Sequence, residues 1–86
     1  MKIIAKPIDV IACFLQGTLP MPYKFKTKEN EEPLEVRVEK ILKVEESKLA
    51  GIDSIVYTCQ SIANGKELLY ELKYIKADCR WELYRI

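Results

Sequence analysis

The sequence predicts an all-β domain: a small bent antiparallel sheet, or an SH3-like or OB-like barrel, of about five to six strands with at most one short helical turn. Two observations carry most of this. Asn64-Gly65, the strongest short-range hairpin signal, sits between two alternating segments. Upstream, Tyr23, Phe25 and Thr27 alternate with Lys24, Lys26 and Lys28, and Leu34, Val36 and Val38 alternate with Glu35, Arg37 and Glu39, a period of two that puts successive side chains on opposite faces of a strand.

The first apolar run, Pro7 to Leu15, is rich in β-branched residues and ends at the turn-like Gln16-Gly17-Thr18, followed by Pro20 and Pro22; it reads as a strand and a short loop. In the second strand Tyr23, Phe25 and Thr27 form the core face and the three lysines a basic one. Glu29-Asn30-Glu31-Glu32-Pro33 interrupts with charge and a proline before the third strand begins. Its phase breaks at Lys40-Ile41-Leu42, where two apolar residues stand side by side, so a bulge or sharp bend is expected there. Glu45 to Gly51 suits either one helical turn capped by Gly51 or a loop.

The last third allows register to be derived. With Asn64 and Gly65 as the two turn residues, Ala63 pairs with Lys66, Ser61 with Leu68, Cys59 with Tyr70, Tyr57 with Leu72 and Ile55 with Tyr74. A second turn at Ala77-Asp78 places Trp81 opposite Tyr74, Leu83 opposite Leu72 and Arg85 opposite Tyr70. Trp81 should therefore be buried beside Tyr74, with Lys73 and Glu82 a solvated ion pair on the outer face. A helix over Lys66–Lys76 competes, because Leu68, Leu69, Leu72 and Ile75 also fit helical spacing. It wastes the Asn-Gly signal and leaves Tyr70 and Tyr74 on the wetter flank.

Composition bounds the function. A chain of 86 residues holds a single domain, 1–86, and at this size about 60 to 65% of the unfolded surface is buried. Lysine and arginine number 14 against 13 acids, so no global field steers polyanions and any basic surface is local. Ile8 to Leu15 is broken by Asp9 and is far shorter than the ~20 residues of a membrane span. The residues before Lys6 are too few for a signal-peptide core, which points to a cytoplasmic protein.

Cys13, Cys59 and Cys79 are widely spaced and the chain has no histidine, the pattern of small core residues rather than a disulfide framework, a zinc site or a histidine-activated nucleophile. Its three glycines, at 17, 51 and 65, are isolated and make no phosphate-cradling loop. Ser47, Ser54 and Ser61 lack the frame of a nucleophile elbow. Neither an enzyme, a metal site nor a cofactor is expected.

What remains is surface. Lys24, Lys26 and Lys28 are candidates for contact with a phosphate backbone, although lysines on a strand also guard edges against unwanted pairing. Leu69, Ile75 and Ile86 fall on the outer face in the derived register, with Leu69 and Ile86 as cross-strand neighbours, and form a candidate interface. Two functions follow: a non-catalytic interaction or adaptor module with a protein partner or a second copy, or a small nucleic-acid-binding barrel acting in DNA repair or RNA binding.

Lys6-Pro7-Ile8-x-Val10-Ile11-Ala12, Pro22-x-x-Phe25, Val38-x-Lys40-Ile41, Leu49-Ala50-Gly51, Tyr57-x-Cys59-Gln60-Ser61 and Trp81-x-Leu83 together span nearly the whole chain. In this combination the sequence resembles a set of uncharacterised small β-domain proteins from clostridia and related Firmicutes. More distantly, the Phe, Val and final Trp-x-Leu positions look like a small β-domain of unknown function associated with translesion DNA polymerases. The resemblance implies a β fold and a cytoplasmic location and brings no catalytic residues with it.

Overall fold

A computed structural model describes residues 1–29 and 31–86. The alternating segments form seven strands: β1 (Ile3–Cys13), β2 (Met21–Glu29), β3 (Glu32–Arg37), β4 (Lys40–Ser47), β5 (Ser54–Ala63), β6 (Lys66–Ile75) and β7 (Arg80–Arg85). Single 3-10 turns occupy Leu49–Gly51 and Lys76–Asp78. All seven strands make one antiparallel sheet in the order β3-β2-β1-β7-β6-β5-β4.

The sheet is bent and open, so the sheet alternative holds rather than the closed barrel. Its edges, β3 and β4, are consecutive in the chain and only Val38 and Glu39 separate them. The Val38 N–H donates to the Tyr23 carbonyl of β2 (2.9 Å) and the Glu39 N–H to the Gln60 carbonyl of β5 (3.0 Å). The chain thus crosses from one side of the sheet to the other through a two-residue step, and no ladder joins β3 to β4. This step cuts the expected third strand in two, which gives seven strands rather than five or six. The expected bulge is present, since Ile41 pairs with Cys59 and Lys43 with Thr58, leaving Leu42 unopposed. Asn30, part of the expected interruption, lies outside the described residues; β2 and β3 pair up to Glu29 and Glu32 on either side of it.

The β5–β6 hairpin has the derived register from Ala63 and Lys66 to Ile55 and Tyr74, with Asn64 at φ 51° and Gly65 at φ 74°, as a tight primed turn requires. Lys66–Ile75 is a strand throughout, so the competing helix is excluded. On the other side Tyr74 pairs with Trp81 and Leu72 with Leu83, as expected, but the register slips between Glu71 and Leu72. Arg85 consequently opposes Glu71, not Tyr70. Tyr70 faces the core, where a guanidinium would be stranded; after the slip Arg85 Nε lies 3.3 Å from Glu71 Oε1 instead.

Two further expectations are corrected at strand irregularities. β1 begins at Ile3 and ends at Cys13, leaving Phe14 and Leu15 outside it and exposed. Ala5, at φ 44°, marks its own bulge against β7. Tyr23 does not share the buried face of Phe25. The β1–β2 register jumps from Ile11 and Lys24 to Ala12 and Pro22, which leaves Tyr23 as the extra residue. Pro22 is buried in its place and Tyr23 is 51% exposed, with the Arg37 guanidinium 5.5 Å from its ring centre.

The concave side of the sheet is filled by Phe25, Ile55, Tyr57, Cys59, Tyr70, Leu72, Tyr74, Trp81 and Leu83. Ile8, Val10, Val36 and Ile41 pack against this set from β1, β3 and β4, and Val38 from the step between β3 and β4. Of the three cysteines expected in the core, Cys59 is there and Cys13 and Cys79 are exposed; burial pushes the Cys59 thiol up to about 12, which suits a small core residue and not a nucleophile. The Tyr57 hydroxyl donates to the Pro20 carbonyl, tying the β1–β2 loop to the core.

Candidate functional site

β1 serves two neighbours along different halves. Asp9–Cys13 pairs with β2, and the residues from Ile3 to Ile8 pair with β7. Pairing with β2 stops at Asp9 and Lys26 although both strands continue. Pro7, which has no N–H to offer a ladder, lies just beyond that point. β2 and the start of β1 diverge from there, and the Lys6 ammonium straps the split by donating to the Lys28 carbonyl (2.7 Å).

On the inner side of the split lies a cleft of about 350 Å³. Ile4, Leu34, Val36, Leu68, Leu69 and Ile86 line its walls, and Phe25, Tyr70 and Leu83 join them from the core. Among the described residues, Lys6 and Lys28 are the charged ones that line it. Thr27 also lines it, and its buried hydroxyl has no hydrogen-bond partner among the described residues.

A second cleft of about 390 Å³ lies between β3 and the tip of the β5–β6 hairpin, lined by Glu35, Arg37, Ile62, Ala63, Asn64 and Lys66. It shares Leu34, Val36 and Leu68 with the first, so the two form one trough along the edge of β3 that faces away from β2. The Ser61 hydroxyl bridges this trough at Arg37, donating to its carbonyl (2.6 Å). Ser61 Oγ in turn accepts from the Tyr70 hydroxyl, because its own proton is committed to Arg37.

Of the candidate interface residues, Leu69 (53% exposed) and Ile86 (56%) come together in the first cleft. They meet there rather than as ladder neighbours: Leu69 pairs with Gln60, and Ile86 exchanges two backbone hydrogen bonds with Lys2 (2.7 and 3.1 Å). Ile75 does not join them. It is 8% exposed at the far end of β6, paired with Ser54, where the Lys76 N–H donates to the Asp53 carbonyl and the chain folds over into its turn.

The lysine stripe divides. Lys26 and Lys28 line a groove of about 520 Å³ on the outer side of the split, together with Lys6, Arg80 and Asp9. Lys24 lies outside it, 3.1 Å from Glu35. Lys6 and Arg80 went unrecognised in the sequence because they come from β1 and β7, and only the three-dimensional split brings them beside Lys26. Acids interleave with these cations. Lys26 stands between Asp9 and Glu35 across the ladders, and Arg80 lies 3.8 Å from both Asp78 and Glu82. The expected Lys73 and Glu82 ion pair is replaced: the two are ladder partners, but the Lys73 ammonium sits 4.6 Å over the Tyr84 ring and Glu82 takes Arg80.

Two of the three hydroxyl candidates have structural partners, and Ser54 is buried. Ser61 is buried in the chain just described, and Ser47 Oγ accepts from the Leu49 N–H (3.2 Å) at the start of the 3-10 turn. Among the described residues no group of three or more His, Cys, Asp or Glu comes together, and no helix is long and apolar enough to cross a membrane.

In class, then, the chain is a small all-β domain, a bent open sheet with an apolar trough at one edge. No protein-family model matches it, and no curated protein or solved structure shows significant similarity to it.

Proposed function

We propose that the domain is a non-catalytic interaction module that takes an apolar segment of a protein partner into the trough beside β3. The observation carrying this reading is the chemistry of the 350 Å³ cleft, where half-exposed aliphatic side chains line a concavity whose charges, among the described residues, are two lysines. Exposed apolar surface that is concave and bordered by cations suits a partner with apolar and acidic groups. Anilinonaphthalene sulfonate, an apolar anion, tests the site directly. Its fluorescence should rise with the folded protein and fail to rise with Leu68→Glu; no rise, or one that survives the substitution, ends this reading. Light scattering over a concentration series identifies a second copy as partner if a dimer forms and Leu69→Glu disperses it.

The second reading is a nucleic-acid-binding role in DNA repair or RNA binding, supported by the groove that gathers Lys6, Lys26, Lys28 and Arg80 and by the resemblance to a domain associated with polymerases. Neutralising about three phosphates gives a log-log salt slope of about −2 to −3. Lys26→Gln and Lys28→Gln should flatten it, whereas Lys24→Gln, already offset by Glu35, should not. A salt-independent affinity, or none, removes this alternative.

A further inference from the structure

The trough is bounded on one side by β3, whose outer edge has no ladder among the described residues, and the hydrogen bonds at its end show which residues present that edge. The Val38 N–H points to β2, since it donates to Tyr23, and the Arg37 carbonyl points the opposite way, since it accepts from Ser61. Backbone groups alternate sides along an extended strand. The Glu35 N–H and carbonyl and the Pro33 carbonyl therefore face the trough, and Leu34 and Val36 bond toward β2. Side chains alternate as well: Leu34 and Val36 line the apolar cleft, and Glu35 lines the second cleft beside Arg37.

We infer that the occupant is an extended peptide strand that adds to β3 opposite Glu35, which rests on the module reading above and names its ligand. One residue opposite Glu35 exchanges both backbone hydrogen bonds with it. The residues on either side of that one point inward, so they are aliphatic and fill the cleft beside Leu34, Leu68 and Leu83. The next residues out return to the charged face. There the trough offers Arg37 and Lys66 at one end and Lys6 and Lys28 at the other, against one acid among the described residues, Glu35, which Lys24 already engages. Charge complementarity makes those outer positions acidic. The recognised pattern is acidic, aliphatic, neutral, aliphatic, acidic, with the chain extended. A fatty acid would use the first cleft and its lysines but leave the free edge and second cleft unused.

The full chain, isotopically labelled, is titrated with acetyl-Glu-Val-Thr-Leu-Glu-amide and followed by amide and methyl resonances. Shifts at Glu35, Leu34 and Leu68 with slowed exchange of the Glu35 amide are expected. Methylating the central threonine nitrogen of the peptide should weaken binding by at least about tenfold, the order expected for losing a buried hydrogen bond. Glu35→Pro should do the same without disturbing the β2 ladder, because that N–H faces the trough, and an unchanged circular dichroism spectrum verifies the fold. Replacing both glutamates by lysine should also weaken binding. If the methylated peptide binds as well as the parent, or Glu35→Pro has no effect, strand addition is wrong. If no peptide binds while anilinonaphthalene sulfonate still does and decanoate displaces it, this inference falls and the apolar site stands with a small amphiphile as ligand. If the dye does not bind either, both readings fall.

Discussion

Tyr74 and Trp81 face each other across β6 and β7 with ring centroids 4.8 Å apart and planes inclined by 40°. Tyr57 flanks the indole at 5.6 Å, and Trp81 is only 7% exposed. Trp81→Ala removes the side chain that joins three strands of the core. Such a truncation costs about 3 to 5 kcal/mol, comparable with the ~5 kcal/mol at the lower end of domain stabilities. The variant should be largely unfolded by circular dichroism at physiological temperature. Native fluorescence should be blue-shifted from indole in water; an emission maximum at the solvated value would contradict the packing.

The hydrogen-bond chain from Tyr70 through Ser61 to the Arg37 carbonyl holds the end of β3 against the β5–β6 hairpin. Tyr70→Phe leaves Ser61 with its acceptor and should cost about 1 kcal/mol. Ser61→Ala strands both the Tyr70 hydroxyl and the Arg37 carbonyl and should cost about 2 to 3 kcal/mol. In urea titrations the double variant should lose less than the sum of the two; strict additivity would mean that the chain does not act as a unit.

Burial pushes the hydroxyls of Tyr57 and Tyr70 from their ordinary 10.0, and the thiol of Cys59 from 9.0, up to about 12. All three are neutral when protonated, so the folded state holds protons that the unfolded chain has already released. Their contribution is fully present below pH 9 and is lost as pH rises toward about 12. Stability should decline with alkalinity from the onset of cysteine ionisation, with tyrosinate absorbance appearing together with unfolding. Tyrosinate formed at Tyr57 or Tyr70 in a still-folded protein near pH 10 would refute this.

Gly65→Ala puts a methyl group where nothing lies within 4 Å, so any cost comes from the backbone alone at φ +74°. About 1 kcal/mol should be lost in thermal melts, with the fold retained. An unchanged melting temperature would mean that the turn relaxes to another type.

The C-terminal meander was legible because Asn-Gly fixes a turn, and a fixed turn propagates register through every pair that follows. Trp81 could be placed against Tyr74 on that basis, and Ile41-Leu42 betrayed its bulge by breaking the alternation. Bulges that leave the pattern intact were not legible. Tyr23 alternates perfectly with Phe25 yet is expelled by the slip opposite Ile11, and the slip at Glu71 sets it opposite Arg85 with no break in the alternation to announce it. The trough was half visible. Leu69 and Ile86 pointed to it, but Ile4, Leu34 and Leu68 belong to it only because β1 parts from β2, and a single proline gives no warning that a sheet will divide there. The charged groove shows the same limit, since Lys6 and Arg80 are remote in sequence from Lys26.

The paired hydrogen bonds between Lys2 and Ile86 place the two ends of the chain side by side, next to Ile4 in the wall of the apolar cleft. Any polypeptide grafted to either end begins at the mouth of the trough, where a few apolar residues of a purification tag or fusion linker could fold back and occupy it. Binding measurements thus depend on how the protein is handled. A graft placed instead in the exposed β1–β2 loop near Gly17 sits at the opposite end of the sheet and leaves the trough clear.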